Sequence, residues 1–153
     1  MPDGEQLRVF APRRARFVMI PLAVIVMLGF IVIGIGLRGE GVEGFDLFDQ
    51  LSLLGLGALF VGIMLWMVSV RARPSGSGLY VRNLVRARRL TWAEIVAVRF
   101  EYLSGDPWVT LDLADGTTLA VMAIQRADGE YGLREAERLS SLVDSLGTAG
   151  NPR

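Results

Sequence analysis

Two uncharged apolar runs dominate the pattern of the chain, one at residues 17–37 and the other at 51–70. The first has 21 residues and the second 20. A helix of that length reaches roughly 30 Å, enough to cross the hydrocarbon core of a bilayer, so both runs are predicted membrane spans. Arg8, Arg13, Arg14 and Arg16 precede the first run, and Arg71 and Arg73 follow the second. The connection at 38–50 carries Glu40, Glu43, Asp46 and Asp49 against Arg38. Basic outer flanks around an acidic connection place both termini in the cytoplasm by the positive-inside rule. The first run exceeds a signal-peptide core and no small-residue cleavage motif follows it, so it is read as retained. Residues 1–16, with two prolines and several small side chains, are predicted to be a loose cytoplasmic tail.

Small residues recur in both runs. Antiparallel pairing would set Gly36 near Gly55 and Gly29 near Gly62, with Ala58 between, and let the two backbones approach closely. Trp66, near the inner end of the second run, reads as an interfacial anchor. Neither run contains an ionisable residue, which argues against a proton or substrate path through the hairpin.

After a proline, serine and glycine linker at 71–78 the periodicity becomes two. Residues 79–85 and 88–91 read as one strand pair. Thr91-Trp92-Ala93-Glu94 has the spacing of a capping box, which predicts a single helical turn between strands. Val96, Val98, Phe100 and Tyr102 alternate with Ala97, Arg99 and Glu101 in a half-buried strand, and 104–107 is a turn. Residues 108–113 and 117–124 form a hairpin around Asp115-Gly116, a type I′ signal that sets Leu113 opposite Thr118, Leu111 opposite Ala120 and Val109 opposite Met122. The final element is a helix at 132–146, with Leu133, Ala136, Leu139, Leu142 or Val143, and Leu146 as its apolar stripe and Gly147 as its stop. Residues 148–153 read as a disordered tail. The fold class is thus a transmembrane helical hairpin followed by an α+β domain, a curved antiparallel sheet or partial barrel capped by the C-terminal helix. Seventy residues, 78–147, are expected to fold without the spans.

Composition narrows the chemistry. The 153 residues balance 16 basic against 16 acidic side chains, and every basic one is Arg. There is no Cys, His or Lys. Thiolate and His-based nucleophile systems, ordinary zinc sites, Schiff-base chemistry and the phosphate-loop lysine are therefore excluded. Asp106, Asp112 and Asp115 are the nearest approach to a carboxylate pair, and two of them are turn residues. No enzyme, cofactor, metal or nucleic-acid partner is expected.

Charge is unevenly placed in the second half. Residues 71–99 hold seven Arg against Glu94, a net of +6, whereas 100–153 carry a net of −5. Val81-Arg82-Asn83-Leu84, the block from Arg88 to Ile95, Arg99-Phe100, Asp106-Pro107-Trp108 and Met122-Ala123-Ile124-Gln125 together resemble the bacterial pleckstrin-homology-like family of the low molecular weight protein antigen 6 type. The resemblance covers about 78–146, and two preceding spans are similar to the usual arrangement. It implies a PH-like domain at 79–147 and a fold without an assigned reaction. Basic residues in the first hairpin loop of better-known PH domains hold anionic lipid, and Arg86, Arg88 and Arg89, beside Arg82, occupy a similar place. The readings are a membrane-anchored module that docks a protein partner or self-associates, an anionic-lipid sensor using the arginines, or an accessory subunit of a membrane transporter or envelope complex using the glycine faces. Trp92 and Trp108 are expected to be buried rather than ligand platforms.

Since the chain lacks Cys, orientation is directly measurable. A membrane-impermeant thiol reagent on intact cells is expected to label Glu43→Cys and to leave Ser77→Cys unlabelled; the opposite pattern reverses the topology.

Overall fold

The computed structural model describes residues 7–39, 43–100 and 107–147. Contacts divide them into two compact units, one made of residues 15–68 and the other of the residues before 15 together with those from 69 onward. The C-terminal tail at 148–153 and most of the expected turn at 104–107 lie outside the described residues.

The helical unit is an antiparallel pair. Helix α1 (Arg13–Gly39) and helix α2 (Leu47–Met67) are both long and apolar enough to cross a membrane. Helix α2 begins four residues before the apolar run, because Asp46 caps it. Its carboxylate accepts the N–H groups of Phe48 and Asp49 at 2.7 and 3.0 Å, and Asp49 returns the favour to the Asp46 N–H at 3.1 Å. At the far end, Arg16 Nε donates to the Val68 carbonyl at 3.3 Å.

The helices pack in a register different from the expected one. Space for a Cβ is open at Gly29, Gly36, Gly55 and Gly62, and Ala58 is exposed. The close approach falls instead at Gly57, where an added Cβ would stand 2.7 Å from the Phe30 ring, and at Gly34, beside Gln50 and Leu53. Phe30 also stacks on Phe60, with centroids 6.2 Å apart. The expected pairing missed this because it fixed the register from glycine spacing. Aromatic volume sets it: a ring this large needs a bare backbone opposite it.

The second unit contains two three-stranded antiparallel sheets. One joins β1 (Arg71–Ser75), β2 (Gly78–Arg82) and β3 (Ala87–Leu90) in that order; the other joins β4 (Ile95–Arg99), β5 (Trp108–Leu113) and β6 (Thr118–Gln125). A 3-10 turn at Trp92–Glu94 links them, and helix α3 (Glu130–Gly147) packs across β4 and β6. The Asn83 side chain stitches the sheets together. Its amide donates to the Ala120 carbonyl at 2.7 Å and its carbonyl accepts the Met122 N–H at 3.2 Å, as a strand residue would. This is the partial barrel with a helical cap that the periodicity predicts. The core gathers Leu79, Val81, Leu90, Trp92, Val109, Leu111, Val121, Ile124, Leu139 and Leu142, all almost fully buried. Trp92 is fixed there by a hydrogen bond from Nε1 to the Ser75 carbonyl at 2.9 Å, whereas Trp108 is only half-buried. At Gly132 an added Cβ would stand 2.2 Å from the Gln125 carbonyl oxygen, so glycine lets α3 begin tight against β6.

Several local expectations need correction. The Asp115-Gly116 turn is not type I′, which requires positive φ at both central residues. Only Gly116 has it, at 79°. Leu113 and Thr117 close a three-residue loop, and the Asp115 carboxylate accepts the Thr117 N–H and hydroxyl at 2.9 and 2.6 Å. Pairing therefore moves by one residue, so Leu111 faces Leu119 and Val109 faces Val121, a more apolar face than the expected one. In β4, a register break between Ile95 and Ala97 turns Val96 out to solvent, 66% exposed.

The larger correction concerns the two segments read as tail and linker. Residues 71–75 form the edge strand β1, which tolerates Pro74 because the missing N–H lies at a sheet margin. Residues 7–12, part of the expected loose tail, join the second unit. Phe10 N–H donates to the Ala72 carbonyl at 2.8 Å and Ala72 N–H to the Phe10 carbonyl at 3.1 Å. The Phe10 ring is completely buried, with the Arg138 guanidinium 3.8 Å from its centroid, and Arg138 also donates to the Arg8 carbonyl at 3.1 Å. An aromatic with no polar atoms does not stay in water when a core is within reach.

This changes what can fold alone. A fragment 78–147, lacking both β1 and Phe10, is expected to show no cooperative melting by circular dichroism. A chain joining 7–12 to 69–147 through a short flexible linker is expected to melt cooperatively, and Phe10→Ala within it to cost about 3–5 kcal/mol. A cooperative transition in the shorter fragment would refute the role of Phe10 and β1.

Candidate functional site

Strand register sorts the arginines. Arg71 pairs with Arg82, and Arg82 with Ala87; Arg73 pairs with Tyr80, and Tyr80 with Arg89. Directly paired residues lie on one face, so Arg71, Arg73, Arg82, Arg89 and Tyr80 share the outer face of the first sheet. The rows between them, Ala72 with Val81 and Pro74 with Leu79 and Leu90, point inward and are buried. The Arg89 guanidinium lies 5.6 Å from the centre of the Tyr80 ring. Arg71, Arg73, Tyr80 and Arg89 border a groove of about 700 Å³ that runs past Ser75 to Thr91 and Glu94. The buried Nε of Arg71 has no hydrogen-bond partner among the described residues.

The four arginines expected to act together are thus divided. Arg82 and Arg89 lie on the outer face. Arg86 sits in the turn after β2, its carbonyl accepting the Asn83 N–H at 2.9 Å. Arg88 belongs to the inward row at the sheet edge and reaches Asp115 at 3.2 Å. Arg71, Arg73 and Tyr80 are additions. Strict alternation across 71–75 and 78–82 was the available signal, but Pro74 and Gly76-Ser77-Gly78 made the stretch read as a linker.

The acidic side chains are engaged elsewhere. Asp112 is bonded to Arg99, Asp115 to Arg88 and Glu135 to Arg138. Glu94, at the groove rim, accepts the Thr91 N–H and hydroxyl at 2.6 and 2.8 Å. Those two bonds hold the Glu94 carboxyl below its ordinary value, backbone first. The Thr117 hydroxyl and then its N–H do the same for Asp115. A carboxylate pair sharing a proton is not what these residues build.

A second cleft, about 650 Å³, lies where the chain enters α1 and is bordered by Arg13, Arg14, Asp128, Tyr131 and Arg134. Asp128 is buried and accepts the N–H groups of Arg14 and Arg13 at 2.7 and 3.2 Å. It caps the start of α1 from more than a hundred residues away. Arg13 in turn stacks over Tyr131, 4.1 Å from the ring centre. No local sequence signal announces such a cap.

Comparison with known proteins matches this architecture. Residues 67–140 fit the family described as Bacterial PH domain. This part of the chain is similar to bacterial PH domains and has a PH-like fold. Over 99 residues, 65% of its length, the chain is 34% identical to uncharacterized proteins of Mycobacterium tuberculosis and Mycobacterium bovis. It spans 63% of the length of these curated relatives. No solved structure matches it. PH-like domains are typically non-catalytic modules for protein or lipid interaction, and an open arginine face suits that use.

The two lowered carboxyls give the PH domain a defined acid response. A carboxyl whose folded value lies below its unfolded one stabilises the fold above roughly pH 4, and that contribution disappears as pH falls through the folded value. The melting temperature of the soluble unit is expected to drop below about pH 4. Glu94→Gln and Asp115→Asn are expected to lower it at pH 7 and to flatten the acid limb. An unchanged limb in both variants would mean these bonds contribute nothing to the pH dependence.

Proposed function

We propose that this chain is a non-enzymatic, two-span protein of the cell membrane that holds its PH domain at the cytoplasmic face and docks a protein partner there. The carrying observation is the outer face of β1–β3, where four arginines surround a tyrosine and no carboxylate joins the ladder. Arginine with tyrosine is the side-chain pair most suited to interface anchors, since each combines a flat apolar surface with directed donors. The partner segment that complements it is acidic, able to accept paired hydrogen bonds from Arg73 and Arg89.

The membrane placement has two supports besides helix length. Arginines flank the outer ends of the hairpin, and the connection between the helices is acidic. Phe10, before α1, and Ala72, after α2, are paired in one core, which supports a reading with both ends of the hairpin on one side. Held there by its tethers, the domain has no need of lipid affinity for localisation, which favours a protein ligand for the groove around Tyr80.

The test is a photoreactive residue in place of Tyr80, introduced in the full chain and irradiated in intact cells. Discrete protein adducts are expected. Changing Arg73 and Arg89 to Glu is expected to reduce them by roughly tenfold or more, since charge-assisted hydrogen bonds each contribute about 1.5–3 kcal/mol. Adducts with lipid alone, or adducts indifferent to the charge reversal, would reject protein docking at this face.

A further inference from the structure

One edge of the first sheet is closed and the other is open, and the hydrogen-bond parity of its ladders shows which. The hairpin from β1 to β2 turns between the paired residues Ser75 and Gly78. The turn from β2 to β3 closes on the bond from Asn83 N–H to the Arg86 carbonyl at 2.9 Å. Bonded and non-bonded pairs alternate along an antiparallel ladder, so Gly78, Tyr80 and Arg82 bond toward β1, and Leu79, Val81 and Asn83 toward β3. The same alternation turns the Ala72 backbone outward from β1, which is where Phe10 meets it with two hydrogen bonds. Pro74, next in that outward row, has no N–H to offer.

On β3 the outward row is Ala87 and Arg89. Both are exposed, and among the described residues their main-chain N–H and C=O groups have no hydrogen-bond partner. β3 is the last strand of its sheet, and it carries neither a proline nor a bulge. The second sheet treats its margin differently, since β4 is broken by the irregularity at Val96.

We infer that an extended acidic segment of the docked partner adds to β3 as a further antiparallel strand. The inference rests on the docking reading of the outer face and names the form that its ligand takes. Partner residues opposite Ala87 and Arg89 exchange paired backbone bonds with them and present their side chains on the outer face. Arg89 lies directly beside one of those side chains, and the small Ala87 leaves the other a path to Arg82. Both positions are therefore carboxylates, with one residue between them. That middle residue falls on the inward side of the ladder beside Arg88, whose charge Asp115 already meets at 3.2 Å. A second copy of the chain does not fit, because two β3 edges in antiparallel pairing set Arg88 or Arg89 against its own counterpart. Main-chain bonds supply affinity, and the arginines choose the occupant.

The test uses the full chain in detergent and a fluorescent peptide of alternating glutamate and valine, with binding read by anisotropy. Binding is expected, and Arg89→Glu is expected to weaken it by roughly tenfold or more. Methylating the glutamate backbone nitrogens, whose N–H groups would face β3, is expected to weaken it by a similar factor. Methylating the valine nitrogens, which face away, is expected to change it by less than about twofold. Ala87→Pro removes an outward N–H without touching the ladder to β2, and is expected to reproduce the loss at an unchanged melting temperature. The methylated pair decides independently of whether Ala87→Pro folds. Arg89-dependent binding that ignores both methylations overturns strand addition and leaves docking at the arginine face intact. No binding, or binding indifferent to Arg89→Glu, overturns strand addition and the acidic ligand together. A chain that self-associates until Ala87→Pro is introduced assigns the edge to a second copy and overturns the acidic strand.

Discussion

Phe10 and Ala72 exchange both of their backbone hydrogen bonds, and the rest of the architecture is arranged around that pair. The chain leaves the PH domain three residues after Phe10, runs through two apolar helices, and returns at Ala72 to the point it left. Closing a loop of about sixty residues in this way is entropically unfavourable, at a cost that grows only slowly with length. A fully buried phenylalanine offsets part of it, contributing about 1.5–3 kcal/mol. Asp128 completes the clasp by accepting the first free N–H groups of α1, which would otherwise lack helical partners.

The same logic of substituted strands appears inside the domain. β2 and β6 lie close but belong to separate sheets, and a side chain spans the gap. Asn83 supplies one donor and one acceptor, the equipment of a single strand residue, and so continues the ladder where β2 ends. The open seam of a partial barrel is a place where unpaired backbone groups would be desolvated at a cost. An amide side chain relieves that while the turn beyond it leaves Val85 in solvent.

Much of this was legible in the sequence, and the failures share a cause. The apolar runs, the period of two after Leu79, strand β5, the turn at Trp92 and the stripe of α3 are local patterns, and they match the elements closely. Phe10 was missed because one aromatic among prolines and arginines has no periodicity to betray its partner sixty residues away. β1 was missed because Pro74 and the glycines after it speak for a linker when its pairing partners are ignored. The glycine pairing of the helices failed since helix register is decided by the largest side chain, Phe30, and not by the smallest. In the arginine cluster, proximity in sequence was mistaken for proximity in space. A strand sends neighbours to opposite faces, so Arg88 and Arg89 part company at once.

That parting is what makes the outer face informative. Like charges directly opposite on a sheet destabilise it, and Arg71 faces Arg82 with no carboxylate in their ladder. The chain does not lack carboxylates. Asp112, Asp115, Glu130 and Glu135 each meet an arginine, and every one of those arginines lies off the outer face. Stability alone would favour moving one acid across to relieve the row. Four arginines around a tyrosine, with no acid in their ladder, depart from the pairing seen at Asp112, Asp115, Glu130 and Glu135. Such departures concentrate where a surface is shaped for something outside the chain. The missing negative charge of that face is then supplied by whatever binds it.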